Sequence, residues 1–139
     1  MSLILRTTGL AALLAFATPV LAEPIHALLY KNPDCTCCEG YVRYLRTNGF
    51  DVDVKPSNDL AEISRKAGVP EDKQGCHTTF IDGYVIDGHV PVKIIRKLLS
   101  EKPPIAGITL PGMPTGSPGM FGDKTEPFTI YTVTKDGKA

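Results

Sequence analysis

The stretch IHALLYKNPDCTCC, residues 25–38, decides how this chain folds. Its apolar run at residues 25–30 predicts a buried strand, which ends at Lys31-Asn32-Pro33. Asp34 is a favourable N-cap residue, so the cysteines that follow it are predicted to open a helix. A strand leading directly into a helix is typical of an α/β fold, here with three cysteines at the helix N-terminus.

The middle of the chain continues the same alternation. Gly49 is predicted to end the first helix, because glycine is common just after the last helical residue. Residues 50–55 alternate apolar and polar side chains, which predicts a strand. Asp59 is predicted to cap a short second helix, and Pro91 to start a third. With a hairpin between these two helices, the order becomes β-α-β-α-β-β-α. This order predicts an α/β sandwich in which each helix packs on a sheet.

The hairpin is predicted from the dipeptide Asp82-Gly83, because both central positions of such a tight turn need positive φ. Counting outward from this turn pairs residue 76 with residue 89. Cys76 is therefore expected opposite His89 at the open end of the hairpin, on one face. His77 is expected to point to the other face. We therefore expect Cys76 and His89 to contribute jointly to a site, and His77 to contribute less.

The N-terminal residues 1–22 have the pattern of a cleavable signal peptide. Arg6 supplies a positive charge, residues 9–20 are apolar, and Val20-Leu21-Ala22 resembles a cleavage site. The apolar run is shorter than the roughly 20 residues that cross a bilayer, although a retained membrane anchor is the alternative. We expect export to the periplasm and a mature chain that does not span the membrane.

The C-terminal residues 105–139 differ in composition from the domain predicted at residues 23–104. Residues 110–120 are rich in glycine and proline and predict a loop, whereas residues 128–133 predict an edge strand packed on the same domain. Met113 and Met120 lie in this loop. Methionines often fill gaps or lie at the surface, but a thioether is also a ligand for Cu(I).

Charge excludes one class of function. The chain carries 15 basic and 15 acidic side chains, and the basic residues form no stripe along it. Nucleic-acid binding needs clustered positive charge to neutralise phosphates. We therefore expect no nucleic-acid partner.

The cysteines carry the candidate chemistry. Cys35 and Cys38 form a C-x-x-C pair at a predicted helix N-terminus. The N–H groups and the dipole of a helix N-terminus favour thiolate over thiol. Thiolate is both the nucleophile of disulfide exchange and a ligand for soft metals, so the pair alone suits both chemistries.

Cys37 separates these alternatives. A third sulfur beside a dithiol invites wrong pairings, whereas a polynuclear metal site can use every sulfur. Thiolates select Cu(I), zinc and iron–sulfur clusters, and structural zinc usually requires two separated cysteine pairs. Cu(I), bound as several ions, therefore fits best. Two alternatives stay open: a thiol–disulfide oxidoreductase with Cys35 as nucleophile and Cys38 as resolving thiol, and two disulfides that staple a small exported domain.

The predicted element order, with C-x-x-C opening the first helix, resembles the thioredoxin fold. Where that fold has a cis-proline before its third strand, this chain has Cys76-His77-Thr78. Four motifs, CTCC at 35–38, GCHT at 75–78, DGYVIDGHVP at 82–91 and LPGMPTGSPGM at 110–120, resemble the CopG-like family of periplasmic copper-resistance proteins, formerly a family of unknown function.

This resemblance implies a thioredoxin-like fold and a multi-copper thiolate site. The implied ligands are Cys35, Cys37, Cys38 and Cys76, with His89 and the methionine loop (Met113 and Met120) nearby. It also implies a role in copper tolerance by sequestration, transfer or redox change of copper, with copper ions and other periplasmic copper-handling proteins as partners.

Overall fold

The structure is a computed structural model that describes residues 23–139, so the signal peptide predicted at residues 1–22 lies outside the described residues. The described residues form six strands and three α-helices, with one 3₁₀ turn at Glu71–Lys73. In chain order they are β1 (Ile25–Lys31), α1 (Thr36–Thr47), β2 (Phe50–Pro56), α2 (Leu60–Lys66), β3 (His77–Ile81), β4 (Tyr84–Gly88), α3 (Val92–Glu101), β5 (Gly107–Leu110) and β6 (Tyr131–Val133). The predicted order up to α3 is confirmed.

All six strands belong to one mixed sheet in the order β2-β1-β3-β4-β5-β6. The pairs β1–β2 and β4–β5 are parallel, and the other neighbours are antiparallel. Strand β5 was not predicted, because its four residues follow Pro103-Pro104 closely and are too few for a strand period to stand out. The edge strand predicted at residues 128–133 is present as β6, shortened to three residues.

The helices lie on both faces of the sheet. Helices α1 and α3 contribute Leu45 and Ile95 to one hydrophobic core, together with Leu29 of β1 and Ile86 of β4. Helix α2 lies on the opposite face, where the Ser64 hydroxyl meets side chains of β3 and β4. Burying each of the large core side chains stabilises the fold by about 1.5–3 kcal/mol.

The start of α1 corrects one prediction. The N-cap residue is Cys35, not Asp34, and its side chain makes no capping hydrogen bond. Asp34 instead donates its backbone N–H to the Asn32 side-chain oxygen at 3.0 Å, in a local turn that the Asn side chain stabilises. As a result Cys35 lies at the helix boundary, with Cys37 and Cys38 in the first turn.

The other predicted boundaries agree with the structure. Gly49 follows the C-cap of α1 with a φ of +83°, the left-handed conformation that glycine adopts without a steric penalty. Asp59 is the N-cap residue of α2 and Pro91 that of α3. At the hairpin, Asp82 and Gly83 both have positive φ, as a two-residue turn requires.

Within residues 23–139, none of the helices has the length and apolar character needed to cross a membrane.

Candidate metal centre

Four sulfur atoms meet where the N-terminus of α1 faces the start of β3. The Sγ of Cys37 lies 3.4 Å from that of Cys35 and 3.8 Å from that of Cys76. The Sγ atoms of Cys38 and Cys76 are 3.5 Å apart. All four sulfurs fall within 4.8 Å of one another. The fold thus brings together the four cysteines predicted as metal ligands; their binding of metal stays a prediction.

The four cysteines are in two different redox states in this structure. Cys35 and Cys38 form a disulfide, and Cys37 and Cys76 are free thiols. The C-x-x-C spacing across the helix start places the two Cα atoms 5.4 Å apart, which is within the range of ordinary disulfides. While this bond is intact, neither sulfur is available as a thiolate.

Cys76 and His89 meet as the hairpin register predicted. The Cys76 Sγ lies 3.0 Å from the His89 Nε2. The His89 Nδ1 lies 2.6 Å from the Pro118 carbonyl oxygen, which can only accept a hydrogen bond. His89 Nδ1 therefore carries the proton, and its Nε2 accepts from the Cys76 thiol.

The pKa shifts of Cys76 and His89 both favour the neutral form of the side chain. Burial, reinforced by the neighbouring Cys37, raises the pKa of Cys76 to about 12. Burial also lowers the pKa of His89, an effect partly opposed by its bond to the Pro118 carbonyl. A neutral thiol beside a neutral imidazole is therefore the stable state of the metal-free pair at neutral pH.

The position predicted for His77 is wrong. Its side chain does not point away from the pair: Nδ1 lies 3.4 Å from the Cys76 Sγ, and the ring centre is 4.7 Å from that of His89. The reason is that β3 begins at His77, so strand alternation does not apply to Cys76 in the preceding turn. His77 is fully buried, and its Nε2 has no hydrogen-bond partner within residues 23–139.

The His77 ring packs against the ring of Tyr41 on α1, with an angle of 32° between the two ring planes. The Tyr41 ring lies 4.4 Å from His77 between centres, and the Tyr41 hydroxyl donates to the Val90 carbonyl at 2.8 Å. Burial, followed by the neighbouring His89, lowers the pKa of His77 to about 3. His77 is therefore neutral at neutral pH, so one of its two ring nitrogens is unprotonated.

The two methionines lie in the loop that follows β5. Met113 is at an exposed position with 43% of its surface accessible, and Met120 is half-buried. Met120 follows Gly119, whose backbone touches α1 close to the cysteines. The structure thus keeps Met120 near the cluster-bearing helix, whereas metal ligation by either methionine stays a prediction.

Two further groups shape the site and were not predicted. The buried Lys31 ammonium donates to the carbonyls of Asn32 and Pro33 at 3.2 and 3.1 Å, and it lies 2.8 Å from the Glu39 carboxylate. It therefore holds the turn that leads into the cysteines. In the sequence, this structural role of Lys31 is indicated by the position of a lysine at the end of an apolar run.

The second group is the carboxylate of Asp87, on the α2 face of β4. It accepts hydrogen bonds from the Gly75 N–H, from the Thr78 hydroxyl at 2.8 Å and from the Ser64 hydroxyl at 3.1 Å. Burial raises the pKa of Asp87, partly offset by these bonds, first among them that of Gly75. Asp87 thereby fixes the position of Gly75, the residue before Cys76. In the sequence, this role is indicated by a single acidic residue inside an otherwise apolar strand.

The donors of the centre are sulfur and imidazole nitrogen. Cys76, His77 and His89 form a second overlapping group whose donor atoms lie within 4.8 Å, and no carboxylate belongs to either group. Hard cations such as Mg²⁺ and Ca²⁺ prefer oxygen ligands, whereas thiolates and imidazoles select soft and borderline metals. The donor set therefore fits a soft metal ion.

Comparison with known proteins bears on the same residues. The model of the family described as "Protein of unknown function, DUF411" matches residues 73–120, which include Cys76, both buried histidines and the methionine loop. Two solved structures named "Copper resistance protein copG", Form 2 and Form 1, are each 36% identical to this chain and cover 84% of it. The matches cover 94% and 93% of those chains, with TM-scores of 0.77 and 0.76. No match was found among curated proteins.

Proposed function

Because this chain belongs to the CopG-like family of copper-resistance proteins, we propose that it is a periplasmic Cu(I)-binding protein whose four cysteines hold several copper ions. Its role in this proposal is copper tolerance, through sequestration, transfer or redox change of copper. The element order and the position of the cysteines support a thioredoxin-like arrangement of the fold. The apolar pattern of residues 9–20 supports export to the periplasm.

The observation that carries this proposal is the packing of four sulfurs within 4.8 Å. A single dithiol needs two sulfurs, and Cys37 is a third, 3.4 Å from the Cys35 sulfur. Thiolates this close can each bridge two Cu(I) ions, which uses every sulfur. Cu(I) accepts soft ligands in low coordination numbers, so it fits a compact sulfur cluster better than zinc does.

The imidazoles support the same proposal. His77 Nε2 is buried without a partner, an arrangement that costs about 1–3 kcal/mol unless a ligand or water satisfies it. His89 already presents its Nε2 lone pair to Cys76. We include His89, Met113 and Met120 as secondary ligands.

The Cys35–Cys38 disulfide makes loading dependent on redox state in this proposal. Reducing it takes two electrons and two protons from a dithiol reductant, which becomes a disulfide itself. Reduction doubles the number of thiols from the two free ones to four. The reduced protein should therefore bind more Cu(I) than the disulfide form.

Anaerobic titration with Cu(I), against a competing chelator of known affinity, tests the proposal. The reduced wild type should bind more than one Cu(I) tightly, and Cys37→Ser should bind fewer. Thr36→Ser, which changes the neighbouring side chain and keeps all four sulfurs, is the matched control. The proposal fails if the wild type binds no Cu(I) tightly or if Cys37→Ser keeps the wild-type stoichiometry.

A second candidate function is thiol–disulfide exchange, and the observed disulfide of the C-x-x-C pair favours it. In this reaction a substrate thiolate attacks one sulfur of the Cys35–Cys38 bond, and a second substrate thiol resolves the mixed disulfide, so that the substrate is oxidised and the pair reduced. Disulfide-exchange activity that survives both Cys37→Ser and Cys76→Ser would support this function over copper binding.

A further inference from the structure

The C-terminal loop rests on helix α1 at a contact between two glycines. A Cβ on Gly40 would lie 2.6 Å from the Gly119 carbonyl oxygen. A Cβ on Gly119 would lie 2.4 Å from the Tyr41 backbone N. Neither distance is tolerated between real atoms, so the loop backbone can lie this close only because both residues lack a side chain.

Glycine is an energetically unfavourable residue at position 40. It lies inside α1, where glycine costs roughly 1 kcal/mol relative to alanine. Its backbone is helical and does not require positive φ, in contrast to Gly119 at +83°. The close approach of the loop is therefore the structural reason for a glycine at position 40.

The residue next to this contact reaches the candidate metal centre. The Pro118 carbonyl, one residue before Gly119, lies 2.6 Å from the His89 Nδ1. This bond keeps the proton on Nδ1 and leaves the Nε2 lone pair facing the Cys76 sulfur at 3.0 Å. The residues that follow are also fixed, since the Met120 N–H donates to the Ser117 carbonyl at 2.9 Å.

We propose that Gly40 is a positioning residue: by admitting Gly119 against α1, it holds the Pro118 carbonyl on His89 and thereby sets which nitrogen of His89 is free to bind metal. A metal-binding imidazole commonly has its second nitrogen fixed by a carbonyl in this way, and loss of such a partner typically lowers metal affinity about 10- to 100-fold. The metal-binding part of this inference rests on the proposed function. The tautomer part does not.

The first test is the tautomer of His89 in the metal-free wild-type protein with its disulfide intact. Nitrogen-15 NMR of the imidazole distinguishes a protonated Nδ1 from a protonated Nε2, and a His89→Gln variant assigns the signals. A protonated Nδ1 at neutral pH is expected. A protonated Nε2 in the wild type would overturn the inference, whether or not any variant folds.

The second test adds a methyl group at the contact. In Gly40→Ala the loop must move, and the His89 signals should change to those of a protonated Nε2 or of a mixture of tautomers. Arg43→Ala, an exposed substitution one turn further along α1, should keep the wild-type tautomer. A folded Gly40→Ala protein that keeps a protonated Nδ1 would overturn the inference; if it does not fold, Gly119→Ala takes its place under the same criterion.

Copper affinity is the third measurement. Gly40→Ala should bind the copper ion that His89 ligates about 10- to 100-fold more weakly, while the four sulfurs stay in place. Unchanged affinity combined with a changed tautomer would overturn the metal-binding part. A wild type that binds no copper would instead overturn the proposed function and leave the tautomer result standing.

Discussion

His77 should make the protein lose stability in mild acid. Its side chain is fully buried, and burial together with His89 lowers its pKa to about 3 in the folded state. In the unfolded chain a histidine has a pKa of about 6.5. Between these values the unfolded state binds the proton and the folded state does not. The contribution of His77 to stability is therefore complete above about pH 6.5 and decreases as the pH falls.

The size of the effect follows from the two pKa values. At pH 4.5 the unfolded histidine is about two pH units below its pKa, while the folded one is still neutral. Each unit is worth about 1.36 kcal/mol, so lowering the pH from 7.5 to 4.5 should cost about 2.7 kcal/mol through His77. His89 has a lowered pKa and acts in the same direction, whereas the raised pKa of Asp87 acts in the opposite direction.

Comparing the wild type with His77→Phe separates the contribution of His77 to the acid-induced loss of stability from the contributions of the other titratable groups. Urea unfolding of metal-free, disulfide-bonded wild type and His77→Phe at both pH values gives four free energies. The loss on acidification should be about 2.7 kcal/mol larger in the wild type. His26→Gln, which replaces an exposed histidine, is the matched control and should follow the wild type. Equal losses in wild type and His77→Phe would refute the assignment of His77 as a buried neutral imidazole.

Two other side chains give further predictions. Asp87→Ala leaves the Gly75 N–H and the Ser64 and Thr78 hydroxyls without their acceptor and should lower the free energy of unfolding by about 2–4 kcal/mol. Asp87→Asn keeps an acceptor and should cost less than half of that in the same urea experiment; equal costs would contradict the network. Lys31→Met removes the donor to the turn before the cysteines and should cost about 1–3 kcal/mol and speed hydrogen exchange of the Cys35 amide. Lys66→Met, at an exposed ion pair, should change stability by less than about 1 kcal/mol, and a similar cost for both lysines would contradict the role given to Lys31.

The residue types at the turn were sufficient to predict the hairpin and the pairing of Cys76 with His89 in the site. Asp82-Gly83 adopts the positive φ values of a two-residue turn, and the resulting register brings Cys76 to His89. This works because a tight turn determines pairing over many residues on either side. The same argument misplaced His77, since alternation holds only inside a strand and Cys76 lies just before β3.

The contacts that complete the site depend on tertiary packing. The approach of Gly119 to Gly40 joins residues 79 positions apart in the chain, and no local pattern marks it. Burial of Lys31 and Asp87 likewise depends on what the fold places around them. The sequence also does not determine whether the Cys35–Cys38 pair is a dithiol or a disulfide, because the spacing permits both.

X-ray absorption at the copper edge, measured on the reduced protein loaded anaerobically with Cu(I), tests the central claim most directly. The proposed cluster predicts a first shell made mainly of sulfur and a copper–copper scattering path, which arises when thiolates are shared between ions. Cys37→Ser should weaken the copper–copper path, since it removes the surplus sulfur next to Cys35. A first shell of nitrogen and oxygen alone, without a copper–copper path, would contradict the four-sulfur copper site.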